Sequence, residues 1–466
     1  MFVSFYFLVF LVITVLLFFS VKKTWRPQVL LATSYFICGA ISAYALIAML
    51  GVTVISYFVA IKIEKYFDEK KDGEAKLILT IAVIGTLLFL VRYKYTPNTL
   101  QLIGISFYTF QAIAYMVDVY RRKYKSEKNF VYLALFFSLF AKLISGPIER
   151  GDKLLPQLKW LEKVRFGNRA RLSTAFTYML WGYFMKMVVA DRLAVTVNAI
   201  FHSPQFFDSF WLFLGAFFYT IQIYCDFAGY SYIAIGCARL FGIHLTHNFE
   251  TPYCSKSIIE FWKCWHISLS SWLKEYLYIP LGGNKKGELR KYGNLIIVFV
   301  LCGIWHGVGL NFVVWGLIHG VYSVINHIWR KYHKQSQKCI WGIVSWITTF
   351  TSVMIAWIFF RAPDLKNAGI YFWRILTVGM NVNSIREGAM QLNLNDVEIA
   401  VIAVGIIVVM VMDYICNRKQ IHLPELIQHR GNAMRYLIFY LLIIAIFVFG
   451  IYGPGYHAEQ FIYMQF

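Results

Sequence analysis

Long apolar runs separated by short basic segments are the dominant feature of this sequence. A helix that crosses a membrane needs about 20 apolar residues. Runs of suitable length, uncharged or nearly so, lie at about 2–20, 28–61, 77–91, 100–117, 130–148, 172–190, 210–224, 229–241, 294–328, 340–360, 396–412 and 434–452. The runs at 28–61 and 294–328 are long enough to fold back as hairpins. We therefore predict an all-α polytopic membrane protein with about 11–13 membrane segments, some of the short ones re-entrant.

Composition and charge exclude the main alternative classes. Of the 466 residues, 59% are hydrophobic and only 15% are charged, against about 25% charged in ordinary soluble domains. The 45 Lys and Arg and the 24 Asp and Glu give a formal net charge of +21. In a soluble protein this charge would suggest nucleic acid, but the short cytoplasmic loops of membrane proteins collect Lys and Arg. We expect a lipid bilayer and no nucleic acid as the partner of a multi-pass plasma (inner) membrane protein.

Basic loops predict the orientation of the chain. Four basic stretches are assigned to the cytoplasmic side. They are Arg121–Lys125, Arg150–Arg171, Asn284–Lys291 and Arg330–Lys338. A single crossing by residues 130–148 cannot place the first two on one side, so this run is predicted to enter and return, with a broken helix near Gly146-Pro147. No repeat or soluble module stands out, and we expect one integral domain over residues 1–466.

Residues Ser257–Gly283 predict a helix that lies in the membrane interface. On a helical wheel, one broad apolar stripe contains Ile258, Trp262, Trp265, Leu269, Trp272, Leu273 and Tyr276. Lys263, Ser270 and Lys274 fall opposite, and His266 lies on the boundary between the two faces. Tryptophan and tyrosine at headgroup level are typical of such a helix. From the pattern alone, His266 is equally well a functional group or an interfacial histidine that bonds a neighbour.

His306 stands in the middle of the apolar hairpin at 294–328. Between Lys291 and Arg330 the sequence has no Asp, Glu, Lys or Arg. An ionisable residue in such surroundings is a functional candidate, and a neutral imidazole can accept a proton from a hydroxyl or thiol. A structural histidine bonded to a facing helix is the alternative. His319 and His327 share the hairpin but lack a motif, and are interpreted as packing or loop-end residues.

The remaining polar residues favour structural roles. Asp226 and Arg239 are expected to pair with each other or to line a polar cavity, with a slight preference for pairing. Gln111 lies in an aromatic segment and is interpreted as part of a wall. The eight cysteines have neither CxxC pairs nor metal-ligand spacing, and no P-loop, GxSxG, HExxH or dinucleotide motif is present. We expect no metal and no tightly bound cofactor.

Several separated motifs together resemble the membrane-bound O-acyltransferase (MBOAT) family, in its bacterial alginate O-acetylation branch. The motifs are GISFYTFQAIAYMVDVYR (104–121), SGPIER (145–150), YCDFAGYSYIAIGCARLFG (224–242), FWKCWHISLSSWLKEYLYIPLGGNKKG (261–287), GIWHG (303–307), NFVVWGLIHG (311–320), WIFFRA (357–362) and FIYMQF (461–466). They span most of the chain, and their number and order argue against chance similarity. Tyr232 stands where relatives often have Asp, and Lys263-Cys264 and Lys274-Glu275 replace Arg-Arg and Arg-Asp. Contacts to the donor or acceptor are therefore expected to differ.

The resemblance implies both a fold and a chemistry. The implied fold is a ring of tilted transmembrane and re-entrant helices around a thinned centre, with a funnel or tunnel to the active histidine. His306 matches the presumed catalytic histidine of the family, and His266 matches a second important position. The implied reaction moves an acyl group from a cytoplasmic thioester, acetyl-CoA as the expected donor substrate, across the membrane. The implied acceptor is a hydroxyl of an extracytoplasmic polysaccharide or of an intermediary acetyltransferase protein.

Two other functions remain open from the sequence. Within the same family, one branch transfers D-alanine from a carrier protein to teichoic acid, and YIPLGGN at 278–284 favours the acetyl branch instead. From a different class, a non-enzymatic transporter would also place polar residues among apolar spans. A transporter would more naturally show repeated halves with paired broken helices, and no such repeat stands out.

Overall fold

The protein is described here by a computed structural model that covers residues 2–95, 104–143, 146–332, 339–392 and 394–452. Over these ranges the secondary structure is helical, without a strand. The predicted all-α class is therefore confirmed. The motif FIYMQF lies outside the described residues, as does the first residue of SGPIER.

The α-helices follow one another with short connections. In chain order they are α1 (Phe5–Ser20), α2 (Arg26–Ile41), α3 (Ala43–Asp68), α4 (Asp72–Lys94), α5 (Ile105–Tyr120), α6 (Phe130–Ser138), α7 (Gly151–Lys159), α8 (Arg169–Tyr183), α9 (Asp191–His202), α10 (Ser209–Leu240), α11 (Ile258–Cys264), α12 (Ile267–Leu273), α13 (Glu288–His306), α14 (Leu310–Tyr332), α15 (Cys339–Arg361), α16 (Leu365–Thr377), α17 (Val382–Gln391), α18 (Asp396–Lys419), α19 (Leu423–Gln428) and α20 (Asn432–Phe449). Short 3₁₀ turns occupy Lys23–Trp25, Leu161–Lys163, Pro204–Phe206 and Pro252–Cys254. Two π-helical segments, Phe184–Ala190 and Lys274–Tyr278, follow α8 and α12.

The chain divides into two compact units. The first contains the residues up to Met179 together with Ser231–His247, and the second contains Leu180–Tyr230 and the residues from Asn248 onward. The prediction of one integral domain over residues 1–466 stays a prediction.

Seven of the described helices are long and apolar enough to cross a membrane. They are α3, α4, α10, α14, α15, α18 and α20. A shorter apolar helix, α1, precedes them. The multi-pass membrane class is thereby confirmed, whereas the total of about 11–13 segments, the ring around a funnel and the sidedness of the basic loops stay predictions.

Polar side chains set where several helices begin. A Ser, Asn or Asp side chain accepts a hydrogen bond from a backbone N–H of the first turn, which satisfies a donor that the helix itself leaves unpaired. Such caps are Ser4 for α1, Ser42 for α3, Asn129 for α6, Asp364 for α16 and Asn395 for α18. The cap at Ser42 divides the long apolar run at 28–61 into two helices that pack together, as predicted.

The run at 130–148 is broken, as predicted, but the break comes earlier than Gly146-Pro147. Helix α6 ends at Ser138 after nine residues. Its last carbonyls are satisfied by side chains, because Gln111 Nε2 donates to the Phe136 oxygen at 3.0 Å and Lys142 Nζ donates to the Phe137 oxygen at 3.2 Å. Lys142 Nζ also donates to Gln111 Oε1 at 2.6 Å. Gln111 therefore caps the end of α6. Its interpretation from the sequence as part of a wall did not predict this role.

The predicted separate runs at 210–224 and 229–241 form one helix, α10, of 32 residues. The apolar pattern is interrupted at Asp226, which suggested a break. The carboxylate is instead paired with Lys186 Nζ at 2.7 Å. Because the charge is compensated locally, the helix continues through it.

The run at 294–328 forms the predicted hairpin of α13 and α14. The connection is the short segment Gly307–Gly309. A Cβ atom on Gly303 would collide with the backbone oxygen of Phe312, and one on Gly316 would collide with that of Phe299. Glycine is therefore required at both positions for the two backbones to approach this closely.

Two glycines of this hairpin should respond to alanine with opposite signs. Gly316→Ala should destabilise the protein by about 1–3 kcal/mol, because the added methyl group overpacks the interface. Gly293→Ala should raise stability by up to about 1 kcal/mol, since nothing lies within 4 Å of its Cβ position and alanine is the better helix former. Thermal unfolding of both variants in lipid nanodiscs tests this, and a stable Gly316→Ala variant would contradict the packing described.

Candidate active site

His306 is the last residue of α13 and is held by aromatic rings from three helices. It is 3% exposed. Its ring centroid lies 4.7 Å from that of Trp305 on the same helix, 5.0 Å from Trp315 on α14 and 5.2 Å from Phe360 on α15. All three contacts are edge-on, a favoured arrangement of aromatic pairs. The imidazole therefore lies in an apolar aromatic pocket, as the uncharged sequence around it predicts.

Asn311 fixes one wall of this pocket. Its Nδ2 donates to the carbonyl oxygens of Phe359 at 3.3 Å and Ala362 at 3.0 Å. These carbonyls lie at the carboxyl end of α15, where backbone acceptors lack helical partners. The first turn of α14 is thereby tied to the end of α15, which places Phe360 against His306.

His266 does not lie within a continuous helix, and that prediction for Ser257–Gly283 is wrong. The segment breaks into α11 and α12, with His266 between them at φ +43°. Backbone bonds from an earlier loop replace the helical ones, since Ile267 N donates to the Asn248 oxygen and Glu250 N donates to the Cys264 oxygen, both at 3.0 Å. A left-handed conformation at a residue other than glycine stores strain and is typical of functional sites.

The predicted interfacial stripe is largely covered by the protein. Trp265, Leu269 and Trp272 are buried, and the aromatic rings of Phe249, Tyr253 and Trp357 pack on Trp265. Lys263 and Lys274 are exposed, as expected for the opposite face. The pattern correctly separated the two faces, but the apolar one contacts the protein interior.

His266 itself is buried, and its placement on a boundary between faces is wrong. It is 1% exposed, and its ring packs edge-on against Phe227 at 4.7 Å. Burial lowers the pKa of His266 to about 3, so the imidazole is neutral near pH 7. A neutral ring offers one nitrogen that donates and one that accepts.

The indole ring of Trp305 packs near both His306 and His266. The ring centroid of Trp305 lies 4.7 Å from His306 and 6.5 Å from His266. The two histidines that the sequence singles out thus come from separate helical segments to the same aromatic group. Within the described part of the chain, no three His, Cys, Asp or Glu side chains are placed to hold a metal ion.

His319 lies in the same aromatic neighbourhood. It is fully buried, its ring lies 5.0 Å from Trp315, and its Nδ1 accepts a hydrogen bond from Trp262 Nε1 at 3.3 Å. The sequence reasoning treated it as a packing residue. Its contact with Trp315, which also packs on His306, could not be inferred without the fold.

The expected pairing of Asp226 with Arg239 is wrong. In the second unit, Lys186 Nζ lies 2.7 Å from Asp226 Oδ1 and 2.6 Å from Asp191 Oδ1, and the side chains of all three are at most 3% exposed. In the first unit, a guanidinium nitrogen of Arg239 lies 2.8 Å from His244 Nε2. The π-helical segment that contains Lys186 widens the turn, which places residues five apart on one face. Lys186, a lone charge in the apolar run at 172–190, was the sequence signal for this cluster.

Comparison with known proteins decides the family. The sequence profile of the membrane-bound O-acyltransferase family matches residues 125–362. A probable alginate O-acetylase of Pseudomonas fluorescens is 34% identical over 373 residues, which cover 78% of this chain and 72% of the relative. A peptidoglycan O-acetyltransferase of Helicobacter pylori is 35% identical over 365 residues, 69% of this chain and 68% of the relative. A teichoic acid D-alanyltransferase of Bacillus subtilis is 24% identical over 327 residues, 65% and 81% respectively.

The chain belongs to the membrane-bound O-acyltransferase family. It is an O-acyltransferase, and the resemblance noted from its motifs is confirmed. His266, His306 and His319 lie within the residues that match the MBOAT profile, as do Lys186 and Asp226. The transporter alternative is therefore excluded as the class of this protein.

Removing the cation of the buried Lys186 cluster should strongly destabilise this MBOAT protein. Lys186→Met leaves two buried carboxylates without their cation, which is expected to cost about 3–5 kcal/mol. Lys331→Met breaks an exposed pair with Glu288 and should leave the unfolding temperature nearly unchanged. Thermal unfolding of the two variants side by side tests this, and equal effects would argue against a structural role for the cluster.

Proposed function

We propose that this protein transfers an acetyl group from a cytoplasmic thioester to a hydroxyl of an extracytoplasmic polysaccharide or of an intermediary acetyltransferase protein. The observation that carries the proposal is the convergence of His306 and His266 on Trp305. Acetyl-CoA is the proposed donor, and the plasma (inner) membrane is the proposed location. Two relatives with O-acetylation in their names are 34% and 35% identical to this chain. Both names refer to a glycan, alginate or peptidoglycan, which supports a polysaccharide acceptor.

His306 is the proposed general base. Its ring packs against Trp315 and Phe360, and such apolar surroundings favour a neutral imidazole over the charged one. The acceptor oxygen attacks the thioester carbonyl carbon while an imidazole nitrogen takes the hydroxyl proton. When the carbon–sulfur bond breaks, the same nitrogen returns the proton to the departing thiolate. The products are the ester and the free thiol, and His306 is regenerated as the neutral ring.

His266 is the proposed second member of the site. Its neutral ring, fixed by the backbone bonds that surround it, can donate from one nitrogen and accept at the other. That arrangement suits a group that positions a substrate or relays a proton, and does not require His266 to take the proton permanently. The test is therefore to compare His266→Ala with His306→Ala. The His306 variant should lose more turnover than the His266 variant.

The donor headgroup is proposed to meet basic side chains. Lys285 and Lys286 are exposed in the loop that leads into α13, and Arg290 is exposed in the first turn of that helix. The charge of this stretch assigns it to the cytoplasmic side. Clustered cations attract the phosphates of a CoA-type donor and raise its local concentration.

His306→Ala should reduce acyl transfer by about 10²- to 10⁴-fold, the usual contribution of a positioned general base. The measurement is release of free CoA thiol from acetyl-CoA by the purified protein in lipid, with and without the candidate partner protein. His202→Ala is the matched control, because His202 is exposed on α9. Transfer at the wild-type rate by a folded His306→Ala variant would reject the assignment.

The same assay separates the donor classes. The teichoic acid D-alanyltransferase relative, 24% identical, makes carrier-bound D-alanine the second donor to test. Turnover of acetyl-CoA that requires His306 supports the acetyl branch. Turnover of D-alanyl carrier alone would replace acetyl-CoA as the donor and leave the role of His306 intact.

A further inference from the structure

Two N–H groups on α14 lie in the aromatic cluster that contains His306 and take no part in the chemistry assigned so far. They belong to Trp315 and His319, four residues apart and therefore on one face of the helix. Trp315 is 1% exposed and His319 is 0% exposed. The Trp315 ring contacts both histidines edge-on, with centroids 5.0 Å from His306 and 5.0 Å from His319.

The hydrogen bond from Trp262 fixes the state of His319. Trp262 Nε1 donates to His319 Nδ1 at 3.3 Å. Since Nδ1 accepts, the proton of the neutral ring lies on Nε2, which is then a donor. The indole Nε1 of Trp315 is a donor in every state. The aromatic cluster around Trp315 thus contains two neutral N–H donors, one of them on a ring that contacts His306.

Neither donor has an acceptor within the part of the chain that the structure describes. Both Trp315 Nε1 and His319 Nε2 are completely shielded and make no hydrogen bond there. The rings around His319 include Phe299 at 6.2 Å, Trp357 at 6.1 Å and Tyr322 at 6.4 Å. Of these only Tyr322 carries an oxygen, and its hydroxyl makes no hydrogen bond with His319 Nε2. Proteins rarely bury donors without a partner, because the lost hydration is not recovered. Two such donors beside a candidate base indicate an acceptor that arrives with the substrate.

We propose that Trp315 Nε1–H and His319 Nε2–H receive the carbonyl oxygen of the acyl thioester and stabilise the negative charge that forms on it. The proposal rests on the thioester chemistry proposed above. As the acceptor oxygen bonds to the carbonyl carbon, the π electron pair moves to the carbonyl oxygen and the hydroxyl proton moves to His306. When the C=O double bond re-forms, the carbon–sulfur bond breaks and the thiolate takes the proton from His306.

The chemistry of the two donors suits this task. Fixed N–H groups in a site without water stabilise a developing oxyanion strongly, because they need no reorganisation during the reaction. Both donors are neutral, so they add no charge that would oppose protonation of His306. Trp262 acts through His319 and is a positioning residue, since its N–H keeps the His319 proton on Nε2.

Trp315→Phe removes the indole N–H and keeps an aromatic ring in the wall. We expect kcat of acyl transfer to fall by about 10²- to 10³-fold, the usual effect of losing one oxyanion donor, with little change in KM for the donor. Trp211→Phe is the matched control, because its Nε1 donates to the Ile385 oxygen at 3.1 Å, outside the aromatic pocket. This control should keep the wild-type kcat.

Binding of a tetrahedral analogue separates catalysis from packing. The probe is a trifluoromethyl ketone analogue of acetyl-CoA. Its hydrated carbonyl carbon is tetrahedral and carries its oxygens as the reaction intermediate does. Trp315→Phe should lose affinity for this analogue by a factor similar to its loss of kcat, while its affinity for CoA and its unfolding temperature stay at wild-type values. His319→Gln, which keeps an N–H donor, should retain more activity than His319→Leu.

Two results would overturn the proposal. One is wild-type kcat in Trp315→Phe. The other is a parallel loss of kcat, CoA affinity and thermal stability, which would assign Trp315 to packing. If the wild type consumes only a carrier-bound thioester, acetyl-CoA is rejected as the donor. The kcat of Trp315→Phe is then compared with that of the wild type on the carrier-bound thioester, and this comparison still tests the role of Trp315.

Discussion

Helices that stop away from water must find partners for their last backbone groups, and this requirement organises both units of the protein. In an apolar environment an unpaired carbonyl is costly, so irregular backbone occurs only where side chains or other backbone satisfy it. Gln111 and Lys142 do this for the end of α6. Asn311 does it for the end of α15, and the loop at Asn248 and Glu250 does it around His266. The last two interruptions bring side chains to the aromatic pocket.

Charge is handled in two different ways in the second unit. Lys186 is buried together with two carboxylates, each within 2.7 Å, so its charge is compensated where it lies. The aromatic pocket instead holds His266 and His306 against Phe and Trp rings. Apolar surroundings favour the neutral imidazole, which is the form a general base needs before reaction.

Local signals made much of the fold predictable. Apolar runs located most of the helices, and a Ser, Asn or Asp at the start of a run fixed several beginnings, because both effects act within one or two turns. His306 could be recognised because an ionisable residue in an uncharged hairpin is uncommon. The break at His266 and the end of α6 at Ser138 were not predictable, and the lone Lys186 indicated a buried charge without identifying Asp226 as its partner. Each depends on groups that lie far along the chain, and no glycine or proline marks the break at His266.

The left-handed backbone at His266 has a consequence for the evolution and engineering of this protein. Glycine or asparagine would occupy φ +43° with less strain than histidine. Selection for stability alone would therefore favour replacing His266, and the replacement would remove its ring from Trp305. Under the role proposed for His266, stability and activity oppose each other at this position, as they commonly do where strain is retained at a functional site. A library selected only for thermal tolerance should lose this histidine early, whereas one selected for turnover should keep it and gain stability elsewhere.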